Sequence, residues 1–131
     1  MTVKLPCAAT KQALNEDPEF AIAARLWNAG VRFNVGDQRY LVTVVNGTVA
    51  EFSDHPDPFD PYAITIGGPE DGWAHLLEPT PPPFYQDFWG AFFRHGFEMG
   101  GDLELLYGGY GAVRRMLEVM RATYNNATAE D

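Results

Sequence analysis

The sequence predicts a single domain that combines helices with a β-meander, and three observations support this prediction. The chain has 131 residues, of which 46% are apolar and 14% aromatic, enough for one buried core. The spacing of apolar residues changes from a helical period to strict alternation near residue 30. Asn46-Gly47, a strong hairpin signal, then separates two stretches rich in β-branched residues.

The first predicted helix begins after Asp17, because aspartate can cap a helix and Pro18 suits its first turn. We expect this helix to end at Gly30, which can close it in the left-handed conformation. The three strands of the meander follow at residues 31–35, 39–45 and 48–52.

Prolines divide the next part of the chain into separate elements. Three prolines between residues 53 and 61 disfavour both helix and sheet pairing, so this stretch is predicted to be a loop. A fourth strand over 62–68 and a short helix over 69–78 are expected to follow. The sequence "PTPPP" then predicts a stiff spacer, because proline restricts its own backbone and that of its neighbour.

Residues 84–95, "FYQDFWGAFFRH", have the most unusual composition in the chain. Their aromatic side chains recur at helical spacing: Phe84, Tyr85, Phe88, Trp89, Phe92 and Phe93. Together they would cover about half of a helix circumference. This pattern predicts the main core helix. Alternatively, the aromatic face lines a cavity for an apolar ligand or forms a dimer interface.

Glycines cluster between residues 96 and 111, but they do not match a nucleotide-binding loop. The sequence "GGYG" is followed by Ala-Val-Arg-Arg, without the Lys-Ser/Thr pair of a phosphate-binding loop. Residues 96–102, "GFEMGGD", instead predict a short strand, a glycine turn and a helix capped by Asp102. An amphipathic helix over 111–124 is predicted to end the fold, with a break at "GGYG".

The charge of the chain limits its partners. Its formal net charge is −9, and eight acidic residues but no Lys or Arg lie between Arg39 and Arg94. Such a surface repels phosphate backbones and anionic headgroups, so nucleic-acid binding is disfavoured. The sequence has neither an apolar run of membrane-spanning length nor a hydrophobic signal core. We therefore expect a cytoplasmic protein without stable membrane insertion.

No cluster in the sequence predicts a cofactor or a metal site. Cys7 is the only cysteine, and the acidic group within residues 54–60 lacks the spacing of calcium or zinc ligands. We interpret that group as an acidic surface loop. His95 is the single catalytic candidate, as a general acid or base paired with Asp102 or Glu98.

The order of these elements resembles that of the sterol carrier protein 2 (SCP2-like) sterol-transfer domain, in its bacterial, stand-alone form. Two motifs carry the resemblance. The stretch "ITIGGPEDGWAHLLEP" is similar to the strand and helix before the family's linker, and Gly96 to Asp102 is similar to its last strand. The resemblance covers residues 18–123.

This resemblance implies an α+β fold: a twisted, mostly antiparallel five-stranded sheet with helices covering one face. An apolar tunnel between sheet and helices would hold a fatty acid, a sterol or a similar lipid. Residues 1–16 would be a flexible segment, 17–124 the lipid-binding domain and 125–131 a disordered tail. Ten residues would line the tunnel: Phe84, Phe88, Trp89, Phe92, Phe93, Met99, Leu105, Leu106, Met116 and Met120.

Three functions remain open at this point. The first is a binding or carrier protein for an apolar ligand, without a catalytic step. The second is a cofactor-independent enzyme for a hydrophobic substrate, with His95 as its acid or base. The third is an interaction subunit whose aromatic helix meets a partner or forms a homodimer. We favour the carrier, because it accounts for the aromatic helix and the resemblance together.

Overall fold

The computed structural model describes residues 2–129, which form a five-stranded sheet and six helices. The strands are β1 (Asn28–Val35), β2 (Gln38–Val45), β3 (Thr48–Ser53), β4 (Ile64–Gly68) and β5 (Glu98–Gly101). The helices are α1 (Cys7–Glu16), α2 (Pro18–Ala23), α3 (Glu70–Leu76), α4 (Phe88–Arg94), α5 (Leu103–Gly108) and α6 (Tyr110–Ala129).

The strands lie in the order β3-β2-β1-β4-β5. Only the pairing of β1 with β4 is parallel, and the other three pairings are antiparallel. The predicted α+β fold with a mostly antiparallel five-stranded sheet is therefore confirmed. Because β3 and β4 are separated by two strands, residues 54–63 must cross the sheet between them, and we call this segment the crossing loop.

The two faces of the sheet have different environments. Along β1, Val31, Phe33 and Val35 are fully buried, whereas the alternate residues Arg32 and Asn34 are only half-buried. The ring of Phe33 contacts rings from α3 and α4, so the buried side chains face the helices. We call this the inner face of the sheet, and the opposite one the outer face.

The N-terminal segment differs from the flexible one expected over residues 1–16. It contains helix α1 and contributes three buried apolar side chains to the core: Val3, Leu5 and Leu14. The backbone N–H of Leu5 donates to the hydroxyl of Tyr40 on β2 (3.1 Å). No side chain caps α1, which begins after Pro6. The usual sequence signal of a helix start is therefore missing here.

Helix α2 begins as predicted but ends earlier. The carboxylate of Asp17 accepts a hydrogen bond from the backbone N–H of Phe20 (2.8 Å), so this cap is confirmed. The helix ends at Ala23, and Leu26 has the positive φ (66°) that was expected of Gly30. Gly30 instead lies in β1. A Cβ there would meet the backbone of the crossing loop at 3.0–3.2 Å, so close approach explains the glycine.

The C-terminal segment is helical over more residues than expected. Helix α6 continues to Ala129, which includes most of the predicted tail over 125–131. The side-chain amide of Asn125 donates to the carbonyl of Leu77, beyond the end of α3 (2.8 Å). Glu130 and Asp131 lie outside the described residues.

The predicted helix break at "GGYG" is confirmed, and a tryptophan explains its position. Helix α5 ends at Gly108 and α6 begins at Tyr110. The indole of Trp27 lies against the Cα of Gly109, where a Cβ would overlap the ring. The same indole donates a hydrogen bond to the carbonyl of Leu105 (3.1 Å). Gly109 is therefore required by a contact with a residue more than eighty positions away.

Asp17 links α2 to α6 in addition to capping α2. The guanidinium of Arg115 donates to both oxygens of this carboxylate, at 2.8 and 2.9 Å. These hydrogen bonds lower the pKa of Asp17, and the backbone N–H of Phe20 lowers it further. The carboxylate is mostly buried, so water screens the pair less than it would an exposed one.

We predict that Gly109→Ala destabilises the protein by at least about 2 kcal/mol, because the new methyl group displaces the Trp27 ring. The matched control is Gly108→Ala, because nothing lies within 4 Å of a Cβ at that position. Gly108→Ala should raise the free energy of unfolding, by less than about 1 kcal/mol. Urea unfolding measures both. Equal losses in the two variants would contradict the role given to Trp27.

We predict that Asp17→Asn lowers the free energy of unfolding by about 1–3 kcal/mol at pH 7. The pKa of Asp17 is lowered on folding, so its stabilisation is complete above the ordinary aspartate pKa of about 3.9. It is lost as the pH falls through the lower, folded-state pKa. The gap between wild type and variant should therefore be constant from pH 7 to about 5 and shrink below about pH 4.

The control for this experiment is Glu19→Gln. Glu19 is largely exposed and contacts the same Arg115 at 3.4 Å, so its loss should cost less than about 0.5 kcal/mol. Denaturant unfolding at several pH values gives both profiles. A gap for Asp17→Asn that persists unchanged at pH 2.5 would show that the ionised pair is not its source.

Candidate functional site

Three buried aromatic rings join the inner face of the sheet to the helices. The centroid of the Phe33 ring lies 5.7 Å from that of Trp73 on α3 and 5.8 Å from that of Phe88 on α4. The Trp73 and Phe88 rings are also 5.7 Å apart, and all three side chains are fully buried. Phe88 is therefore the aromatic residue through which α4 packs on the core.

Helices α5 and α6 continue this buried apolar layer. Four of the ten residues predicted to line a tunnel are fully buried in it: Phe88, Leu106, Met116 and Met120. We call these four the apolar wall. Met99 and Leu105, two more of the ten, are partly buried against the same core. Their role in ligand binding stays a prediction.

The aromatic segment over residues 84–95 is not the main core helix, so that prediction is wrong. Helix α4 begins only at Phe88 and buries just Phe88 and Ala91. Phe84 precedes it with a positive φ (66°), and its backbone lies 2.9–3.2 Å from where a Cβ of Gly90 would be. The chain thus folds back on α4, which keeps the helix short. The main core helix is α6, which buries six side chains.

The other aromatic residues of α4 form a cluster at the surface. We call it the aromatic patch, and its members are Trp89, Phe92, Phe93 and Tyr107. The Trp89 ring lies at its centre, with centroids 5.6–5.8 Å from those of the other three rings. Phe92, Phe93 and Tyr107 are exposed. Four of the ten predicted ligand residues, Phe84, Trp89, Phe92 and Phe93, are therefore at least partly in contact with solvent.

Tyr110, a partly buried residue of α6, contacts the aromatic patch through Trp89. Its ring centroid is 5.6 Å from that of Trp89, and its hydroxyl donates to the carboxylate of Asp87, just before α4. Burial and this carboxylate raise the pKa of Tyr110 well above its usual range, so the phenol stays neutral and remains a donor. This bond ties the start of α4 to α6.

The crossing loop lies on the outer face of the sheet. Its Tyr62 ring stacks on the guanidinium of Arg32, with 4.0 Å from Cζ to the ring centroid. Between the loop and the sheet lies a groove of about 810 Å³, and Leu41, Thr43 and Tyr62 are among its lining residues. None of the ten predicted ligand residues lines this groove.

His95 does not form the acid–base pair that the enzyme hypothesis requires. Its ring stacks on that of Tyr85, with centroids 3.8 Å apart, and its Nε2 lies 3.1 Å from the carbonyl oxygen of Pro83. The carboxylate of Asp102 accepts a hydrogen bond from the backbone N–H of Leu105 (3.0 Å), as the predicted cap of α5. Glu98 is exposed on β5. His95, Asp102 and Glu98 thus lie in separate surroundings, and a catalytic role for His95 stays a prediction.

The acidic residues of the crossing loop stabilise its own turns. The carboxylates of Asp57 and Asp60 accept hydrogen bonds from backbone N–H groups of this loop, both at 2.9 Å. Across residues 2–129, His, Cys, Asp and Glu side chains do not gather in groups of three that could hold a metal ion. Burial raises the pKa of the Cys7 thiol to about 11, so the nucleophilic thiolate is scarce at neutral pH.

None of the helices within residues 2–129 is both long enough and apolar enough to cross a lipid bilayer.

We predict that Phe88→Ala lowers the free energy of unfolding by about 3–5 kcal/mol, because it removes a buried ring that contacts Phe33 and Trp73. Phe93→Ala is the matched control, with the same side chain on the same short helix but exposed. Its cost should stay within about 0.5 kcal/mol. Denaturant unfolding compares them. Similar losses for both would mean that the exposed rings also hold α4 in place.

Comparisons with known proteins identify the fold. The sequence matches no protein-family model and no curated protein. A crystal structure of sterol carrier protein 2 superposes with a TM-score of 0.72 at 18% identity, covering 89% of this chain and 94% of that one. A conserved hypothetical protein of Thermus thermophilus, described as possibly a sterol carrier protein, gives 0.65 at 18% identity, covering 88% and 83%. The ubiquinone synthesis protein UbiJ-SCP2 gives 0.54 at 16% identity, covering 85% and 90%. At these identities the likeness concerns the fold alone, and this chain has the fold of sterol carrier protein 2.

Proposed function

We propose that the protein binds and carries an apolar ligand, such as a fatty acid, a sterol or a similar lipid. The ligand would lie between the inner face of the sheet and helices α4, α5 and α6. The apolar wall carries this proposal, because it is a continuous layer without charge on a fold shared with a sterol carrier protein. Within residues 2–129 the one buried polar side chain is Thr10, on α1.

Helix α4 is the element that would move to admit a ligand. It has seven residues and buries only two of them, and no helix or strand lies between α3 and α4. Displacing it would take two buried side chains out of the core, of which Phe88 is the costly one, so the ligand must replace the contacts that Phe88 loses. Burying roughly 300 Å² of apolar ligand would contribute about 7 kcal/mol before this cost.

The charges near the wall favour a ligand with a small or neutral head. Arg121 of α6 is half-buried, but its Nε donates to the carbonyl of Leu76 (2.8 Å). Arg115 is occupied by Asp17. The phosphates of an acyl-CoA need several unoccupied cations, so a sterol, a free fatty acid or another simple lipid suits this chain better.

The experiment that tests this function starts with protein purified under native conditions. Extraction with organic solvent and mass spectrometry of the extract should reveal a lipid in near-stoichiometric amount. Binding of a fluorescent fatty acid, cis-parinaric acid, and of a fluorescent sterol should then be measured by titration. An empty extract together with no binding of either probe would sink the proposal.

We predict that Met120→Gln weakens probe binding about tenfold or more. A side-chain amide left unpaired in the wall costs about 1–3 kcal/mol. Val45→Gln, an exposed position on β2, is the control and should bind as wild type does. Circular dichroism confirms that each variant is folded, and Met116→Gln replaces Met120→Gln if that variant unfolds. Equal affinities for the folded wall variant and the control would place the ligand elsewhere.

A further inference from the structure

The aromatic patch is too exposed to be explained by the core. Phe93 is 72% exposed, Tyr107 62% and Phe92 36%. At about 200 Å² for each ring, these three present roughly 350 Å² of mostly apolar surface. Contiguous patches of this size on a monomer usually mark a binding surface.

We propose that the aromatic patch docks on the surface of a zwitterionic phospholipid bilayer, with its rings inserted at the level of the headgroups. The inference goes beyond ligand binding and extends it, because a carrier that docks there can exchange an apolar ligand with the membrane. Docking itself needs no bound ligand, so the two proposals can be tested separately.

The composition of the patch matches this occupant. Tryptophan and tyrosine settle at membrane interfaces because their rings combine an apolar body with a polar edge. Insertion to headgroup depth requires no spanning helix, only a small apolar surface on an otherwise polar one. The rings are already held against Trp89 at 5.6–5.8 Å between centroids, so little conformational entropy is lost on insertion.

The charges around the patch favour phosphatidylcholine over anionic lipid. Helix α4 contains no acidic residue and ends in Arg94, which takes part in none of the ion pairs found among residues 2–129. The carboxylate of Asp87, just before α4, accepts a hydrogen bond from Tyr110, and Glu104 lies in the first turn of α5, three residues before Tyr107. Both signs are thus present near the rings, as they are in a zwitterionic headgroup. The net charge of −9 opposes an anionic surface.

A second copy of the chain suits the patch less well. Stable protein interfaces bury about 800 Å² on each partner, more than twice what these rings expose. Two copies that each carry −9 also repel one another. A bilayer imposes neither requirement.

The test uses vesicles of dioleoylphosphatidylcholine and the whole protein. Trp27 and Trp73 are buried, so the emission of Trp89 is the one that should respond to lipid. We expect the protein to float with the vesicles and its emission to be quenched by lipid brominated near the headgroup. The double variant Phe92→Ser/Phe93→Ser should lower the partition coefficient at least tenfold and keep the wild-type circular dichroism spectrum.

The matched control is Phe59→Ser, because Phe59 is a 94% exposed phenylalanine on the crossing loop, outside the patch. It should bind vesicles as wild type does, and adding phosphatidylserine should weaken binding of both. Failure of wild type to bind at millimolar lipid would overturn the proposal, and so would equal losses in the control and the double variant. A dimer in light scattering that the double variant loses, without vesicle binding, would assign the patch to a second copy. A lipid-loaded protein that ignores vesicles would leave ligand binding intact and reject docking alone.

Discussion

Trp73 is the side chain on which the connection between sheet and helices depends. Its fully buried ring contacts those of Phe33, Phe88 and Phe97, with centroids 5.7–5.9 Å apart. Its indole N–H donates to the backbone carbonyl of Asn34 on β1 (2.8 Å). Trp73 thus attaches α3 to the sheet through its hydrogen bond to β1. It also contacts α4 through Phe88 and the residue just before β5, Phe97. A buried indole without that carbonyl partner would leave a polar group unsatisfied, so packing and hydrogen bonding specify the same position.

The division of the aromatic residues follows from this arrangement. Trp73 and Phe33 contact one ring of α4, that of Phe88, and the only other side chain that this helix buries is the small one of Ala91. The remaining rings of α4 therefore gather around Trp89 and Tyr107 at the surface. The buried Phe88 ring stabilises the fold. The exposed rings leave apolar area in contact with water, which is typical of a binding surface. Helix α4 thus places one aromatic ring in the core and three at the surface.

Sequence patterns predicted the elements whose signals are local. Alternation, the Asn46-Gly47 turn and the caps at Asp17 and Asp102 specified the strands and two helix starts, because each signal acts within a few residues. Helix α1 was missed because its stability comes from distant contacts, such as Leu5 with Tyr40, and not from a cap. The aromatic helix was predicted too long, since helical spacing cannot reveal that the backbone at Phe84 folds back on the helix. Of the ten residues predicted to line a tunnel, four are fully buried, and residue type alone could not separate these from the exposed ones, because exposure depends on tertiary packing.

The glycines show most directly what a local pattern leaves undetermined. The sequence offers no reason to distinguish Gly109 from its neighbour Gly108, yet of the two only Gly109 lies against the indole of Trp27. That contact lies at the break between α5 and α6, two residues after Tyr107 of the patch and three after Leu106 of the wall. Leu106 of the wall and Tyr107 of the patch are consecutive residues of α5, the first buried and the second exposed. If the ligand leaves the wall past α4 as proposed, it would emerge beside the patch, so a docked protein could pass it directly to the membrane.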